Sequence, residues 1–307
     1  MQLDSLALLL AASVNSGTAL ALAALGLLVN ERAGVLNLGA EGLLLVAAIA
    51  GFATAVHTHS EVLALLAGAA AAAVLSLVFA LLVVGLHTNQ YATGLALSLF
   101  GAGFSAFVGV PYTQETLTER APHVVPGLSR LPGVGPLLFS FHPIVYLTVL
   151  LAVGLSWFLF RSKRGLLLRA VGESPEAAHA LGYPVRRIRV LAVVAGGALC
   201  GLAGAYISVV YTPLWVENLV AGKGWIALAL TTFATWRPAR VLFGAYLFGG
   251  VTMLELHLQG EGVDLPVQFL TMLPYVSTIV VLVLIARNPD WIRANMPASL
   301  GKAFHPS

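Results

Sequence analysis

The chain has 307 residues, 59% of them hydrophobic and only 9% charged, with a mean hydropathy of +0.91. Soluble domains carry roughly a quarter charged residues, so this composition excludes a water-soluble fold and turns most of the surface towards lipid. The excess of 16 Lys and Arg over 13 Asp and Glu does not point to nucleic acid, because the cations sit at the edges of apolar runs and no compact module offers a recognition surface.

Apolar stretches long enough to cross a bilayer predict helices near 5–29, 42–56, 62–86, 90–110, 142–160, 190–211, 225–236, 240–257 and 267–286. The N-terminus, Met1-Gln-Leu-Asp-Ser, lacks a basic n-region, so the first run reads as a membrane helix and not as a removable signal. The expected fold class is all-α: a polytopic membrane protein of about nine helices, eight to ten, in a single membrane domain over 1–307. Segments 42–56 and 225–236 are short for a full crossing and are flanked by glycine. Broken or re-entrant pieces of that kind survive only inside protein or around a cavity. The two also echo each other, since Gly39-Ala-Glu-Gly42 and Gly222-Lys-Gly-Trp225 each open a small-residue helix, and many transporters are built from related halves. Gly197-x-x-x-Gly201 predicts close helix packing. Cys200 is the single cysteine, so no intramolecular disulfide forms.

A polar interruption at 161–189 carries Arg161, Lys163, Arg164, Arg169, Arg186, Arg187 and Arg189. The positive-inside rule places this loop in the cytoplasm, with the Arg237–Arg240 turn and the tail after Arg287, and leaves the N-terminus, 111–141 and 258–266 outside. Within the loop, Ser174-Pro175-Glu176 reads as a helix start: a capping hydroxyl, proline in the first position and an acid in the first turn. Ala177 and Ala178 favour helix, while Gly182 and Pro184 end it. A short extramembrane helix with small residues suits a partner's groove; the plainer reading is a solvated connector.

Glu31, Arg32, Asn37 and Glu41 lie between two apolar runs, among Gly34, Gly39 and Gly42. Ionisable groups at membrane depth face partners or water-filled space. Arg32 is expected to pair with Glu31 or Glu41, and the segment reads as a structural gate, a substrate contact or an interfacial turn. Asn89 and Gln90 open a helix with amides that suit a sugar hydroxyl or base edge, and equally suit helix capping and interhelical bonding. Trp215, Glu217 and Asn218 fall in an outside loop and are candidates for contact with an external receptor; Trp225, after Lys223, is a pathway candidate. His57 and His59 alternate in another outside loop without metal-ligand spacing, and no metal is assigned. Glu255, His257, Glu261 and Asp264 gather near the same face as a wet loop, or as a proton or substrate site. No catalytic constellation stands out, and no Gly-x-x-x-x-Gly-Lys-Ser/Thr loop is present to hold ATP phosphates.

Glu176-Ala-Ala-x-x-x-Gly182 resembles the coupling-helix motif of ABC importer membrane subunits. The wider Leu168–Gly182 stretch resembles the branch that contains permeases for branched-chain amino acids, simple sugars and nucleosides, without the terminal Ile-x-Leu-Pro of other importer classes. Asn30-Glu-Arg-Ala-Gly-Val-Leu-Asn-Leu-Gly-Ala-Glu-Gly42, His87–Leu97, Gly222–Leu230, Trp236-Arg-Pro and Gly244–Gly250 are similar to nucleoside, guanosine-type, permeases, and the likeness runs from about residue 15 to 287. The resemblance implies a multi-pass permease of a prokaryotic plasma membrane, surrounded by lipid and paired with a second, different permease. It also implies an ATPase subunit that uses ATP and Mg, a substrate-binding lipoprotein outside, and no cofactor on this chain. Glu173, Ser174, Pro175, Glu176, Ala177, Ala178 and Gly182 would then couple to the ATPase. A simple sugar or branched-chain amino acid permease is the neighbouring alternative. An ion-coupled secondary transporter, with Glu41 or Glu255 as its acid, is the more distant one.

Overall fold

Helices supply every regular element among the described residues of the computed structural model (2–117, 141–260, 266–286 and 295–305), and Thr116 and Leu214 form one isolated bridge. Most of the 111–141 loop, with Glu261 and Asp264, lies outside the described residues. The elements are α1 (Gln2–Arg32), α2 (Ala40–Thr58), α3 (Glu61–Ala80), α4 (Gln90–Gly109), α5 (Pro143–Arg161), α6 (Lys163–Glu173), α7 (Pro175–Ala180), α8 (Val185–Tyr206), α9 (Lys223–Phe233), α10 (Pro238–Gly260), α11 (Val267–Thr271) and α12 (Leu273–Ala286). Single π turns, Leu81–Gly85 and Ile207–Tyr211, extend α3 and α8.

Seven of these helices are long and apolar enough to cross a membrane: α1 from Leu9, α2, α3, α4, α5, α8 and α10. The sequence reading of 42–56 as a short piece is corrected, because α2 takes in Ala40 and Glu41 at its start and reaches Thr58. By contrast, α9 has 11 residues, or about 16 Å at 1.5 Å per residue, roughly half a hydrocarbon core. It is a half-crossing.

Burial sorts the helices. Every residue from Ser16 to Val35 is buried, as befits a helix apolar on all sides. α1 is wrapped by α8, α10 and α9, and α2 by α3, α8 and α4. The outer helices present Leu99, Phe107, Leu150 and Trp157 to their surroundings, the face that lipid accepts.

Small residues allow the inner contacts. A Cβ on Gly101 of α4 would stand 2.4 Å from the Cα of Gly42 in α2, and one on Gly26 of α1 would stand 2.3 Å from the carbonyl oxygen of Gly196 in α8. With no hydrophobic force between helices in lipid, such close backbone approach supplies the dispersion contacts. Replacing Gly101 with Val should therefore push α4 off α2 and destabilise the protein by about 1–3 kcal/mol. Gly103, whose Cβ direction is open, should tolerate Val. Thermal unfolding of the two variants in detergent checks this, and equal midpoints would contradict the packing.

Candidate functional site

The bundle has a basic end, where α1 and α5 finish, α4, α8 and α10 begin, and α6 and α7 lie across. Ser162 caps α6, its hydroxyl accepting from the Gly165 amide at 2.9 Å. Ser174 caps α7 in the same way, accepting from the Ala177 amide at 3.3 Å, with Pro175 next. The helix stops at Gly182, whose φ of +83° favours glycine, and the amides of Gly182 and Tyr183 return to the carbonyls of His179 and Ala178.

Only one side of α7 is covered. Pro175 and Ala178 are buried, Ala178 against Val171, Val185 and Phe304, and Ser174 is half-buried. Glu173, Glu176, Ala177, His179, Ala180 and Gly182 face outward, joined by Leu181 at 76% exposure and Tyr183 at 44%. Sequence reasoning passed over these last two, although an apolar pair in a polar loop was a visible signal. It also missed Phe304, which the fold-back of 295–305 brings under α7 and which no local pattern announces.

That fold-back is held by Arg189 of α8, by Gln90 of α4 and by its own Ser299. Arg189 donates Nε to the Ala33 carbonyl at 3.1 Å, Nη1 to the Lys302 carbonyl at 3.3 Å and Nη2 to Ser299 Oγ at 3.0 Å. Ser299 in turn donates its hydroxyl to the Gly172 carbonyl at 2.6 Å. Gln90, 3% exposed, accepts from the Leu36 amide at 2.8 Å and donates to the Lys302 carbonyl at 3.3 Å. Asn89 caps α4, accepting from the amides of Tyr91 and Ala92 at 2.9 and 3.1 Å. Its side-chain oxygen is thus committed to the backbone.

The expected pairing of Arg32 with Glu31 or Glu41 is overturned. Neighbours on a helix point about 100° apart, and the two side chains grip different atoms of one residue. Glu31 accepts from Trp236 Nε1 and, at 3.0 Å, from the Thr231 hydroxyl. Arg32 donates to the Trp236 carbonyl from Nε at 3.2 Å and Nη2 at 2.9 Å, and from Nη1 to the Asn295 carbonyl at 3.1 Å. Thr235 and Trp236 hold φ near +50°, an uncommon state for such residues that persists where surroundings fix it.

Glu41 has another task. Its carboxylate accepts from the amides of Gly222 at 2.7 Å and Gly224 at 2.8 Å, the N-terminus of α9. Amides at a helix start are orphaned, and a carboxylate also suits the positive end of the dipole. A Cβ on Gly224 would lie 2.5 Å from the Glu41 amide nitrogen, so the two glycine-punctuated helix starts meet directly. Asn37, fully buried, accepts from the Gly39 amide at 2.9 Å. Trp225 is 41% exposed one turn away.

At the opposite end the receptor-contact reading changes for one residue. Trp215 is 1% exposed, set among Ala48, Ile49 and Phe52 and against Gly109, because an indole this large fills the gap that glycine leaves. Glu217 and Asn218 are exposed beside it. Glu255 accepts from Gln259 Nε2 at 3.1 Å.

The committed geometry of Glu41 gives a prediction. Glu41→Gln keeps the size but turns an amide NH2 towards N–H donors, so stability should fall by about 1–3 kcal/mol together with transport. A proton-carrying acid would instead lose transport at unchanged thermal midpoint.

Residues 9–286 match the family described as branched-chain amino acid transport system, permease component. A putative glucose ABC transporter permease protein of Haloferax volcanii is 40% identical over 97% of both chains. A guanosine ABC transporter permease protein of Bacillus subtilis is 31% identical over 97% of this chain and 98% of its own. A nucleoside ABC transporter permease protein of Lactococcus lactis is 30% identical over 92% and 93%. No solved structure matches the chain. With seven apolar helices of crossing length around a broken-helix interior, the chain belongs to this permease family and is a multi-pass inner-membrane permease subunit of an ABC transporter.

Proposed function

We propose that this chain is one of two permeases of a nucleoside importer, and that it receives the work of a separate ATPase through α7. The observation that carries the reading is a short, capped helix at the basic end whose inner side rests on Phe304 and whose outer side is free. Under the positive-inside rule this end is cytoplasmic, where the ATPase lies. Glu173, Ser174, Pro175, Glu176, Ala177, Ala178 and Gly182 form the docking element, and Leu181 and Tyr183 extend it with apolar surface. ATP and Mg act on the partner, and this chain contributes conformational coupling. An ATP-driven switch moves the permease only as far as the ATPase distinguishes its two states.

Outside, Glu217 and Asn218 meet the lipoprotein receptor. Glu31, Arg32, Asn37, Glu41 and Gln90 fix the broken segments that would gate the pathway, Asn89 fixes the start of α4, and Trp225 faces the pathway. The guanosine and nucleoside permeases among the relatives support a nucleoside substrate. A simple sugar is the second reading, favoured by the higher identity of the putative glucose permease. Proteoliposomes holding both permeases, the ATPase and the receptor decide between them. ATPase stimulation by a nucleoside-loaded receptor is expected, and stimulation by a hexose alone would overturn the substrate.

The docking role has its own test. Glu176→Lys, at an exposed position, should leave membrane insertion intact and weaken ATPase-subunit binding about tenfold, the effect of one contact of about 1.4 kcal/mol. Phe304→Ala should lower coupled transport through the loss of the support beneath α7, with rescue by Leu. Normal coupling in both variants would refute the docking element.

A further inference from the structure

Between α5 and the start of α10 runs a groove of about 370 Å³, lined by Ala152, Val153, Ser156, Trp157, Phe160 and Leu242. Its outer wall is open, for Trp157 is 65% exposed and Val153 60%. From Ala152 to Arg161, which closes the groove at the basic end, nine residues rise about 14 Å. That is close to the depth of one leaflet, half of a core of about 30 Å.

The closed end is crowded with positive charge. The guanidinium of Arg169 sits 5.1 Å from the centre of the Phe160 ring, and that of Arg32 sits 5.7 Å from the same ring. Arg237 is close enough to repel Arg32, and among the described residues Glu173 is the acid close enough to attract it. Arg32 spends its donors on carbonyl oxygens, which carry no net charge. Arg169 Nε is buried and has no hydrogen-bond partner. Among the described residues, four arginines therefore gather where Glu173 is the acid that answers them, next to an apolar slot lined by a tryptophan.

We propose that this groove binds an anionic phospholipid, with one acyl chain along α5 and the phosphate between Arg161 and Arg169. Basic pockets between membrane helices at the cytoplasmic face suit anionic headgroups, each arginine contributing about 1 kcal/mol, or about fivefold in affinity. The adjoining slot selects a lipid over a soluble acidic partner. Its outer face belongs to a membrane-crossing helix, where an acidic protein surface cannot follow.

Native mass spectrometry of the full-length chain, offered equal phosphatidylglycerol and phosphatidylcholine, tests this. Phosphatidylglycerol should be retained about fivefold or more over phosphatidylcholine. The double variant Arg161→Gln, Arg169→Gln should lose that preference at an unchanged thermal midpoint. Val153→Trp, which fills the slot and leaves every charge in place, should lower retention as well. Inorganic phosphate in large excess should not displace the lipid. Equal retention of the two lipids overturns the proposal, and so does a preference that survives the double variant or Val153→Trp. Displacement by phosphate assigns the cluster to a free anion and overturns the lipid. Equal retention with weakened ATPase binding in the double variant assigns it to an acidic protein surface.

Discussion

A bilayer offers no hydrogen bonds, so every break in a membrane helix must find its partners inside the protein. This chain leaves helix at 33–39 before α2, at 212–222 before α9 and at 234–237 before α10, and buried polar side chains are placed to answer those breaks. Arg189 takes the Ala33 carbonyl, Gln90 the Leu36 amide, Asn37 the Gly39 amide, Glu41 the amides of Gly222 and Gly224, and Arg32 the Trp236 carbonyl. Leaving a buried charged group or amide unpaired costs about 1–3 kcal/mol or more. That cost ties these residues to the backbone more firmly than to one another.

The same bonds connect the interior to the basic end. Arg189 and Gln90 reach from the first break to the tail at Ser299 and Lys302. The tail carries Phe304 beneath α7, against Val171, Ala178 and Val185. Between the second and third breaks, α9 is gripped at its start by Glu41 and near its end by Glu31 through Thr231. A force applied to α7 thus meets a continuous set of hydrogen bonds and packed side chains, and the broken helices lie at its far end.

Much of this was legible in the sequence because the chemistry is local. Twenty-residue apolar runs give membrane helices, a Ser-Pro-Glu start and a Gly stop give α7, and the glycine-flanked short run at 225–236 gives the half-crossing α9, whereas 42–56 proved to be part of a full crossing. The pairing of Glu31 with Arg32 was misread because adjacent opposite charges suggest a salt bridge. Only the fold shows that both hold Trp236, more than 200 positions away. Trp215 was misread because a tryptophan in an outside loop resembles an interface anchor, whereas its burial depends on Gly109 from a distant helix. Phe304 carried no signal at all: its role exists only once the tail returns to α7.

The central claim is that the outward side of α7 meets the ATPase subunit. Cys200 is buried and is the single native cysteine, so an introduced thiol is the accessible one. Ala180→Cys and Leu181→Cys, each combined with a cysteine scan of the ATPase surface, should form disulfides in the assembled transporter, at rates that change when ATP binds. A Glu217→Cys control at the opposite end should form none. Absence of cross-links from α7 in an assembled, active transporter would contradict the account.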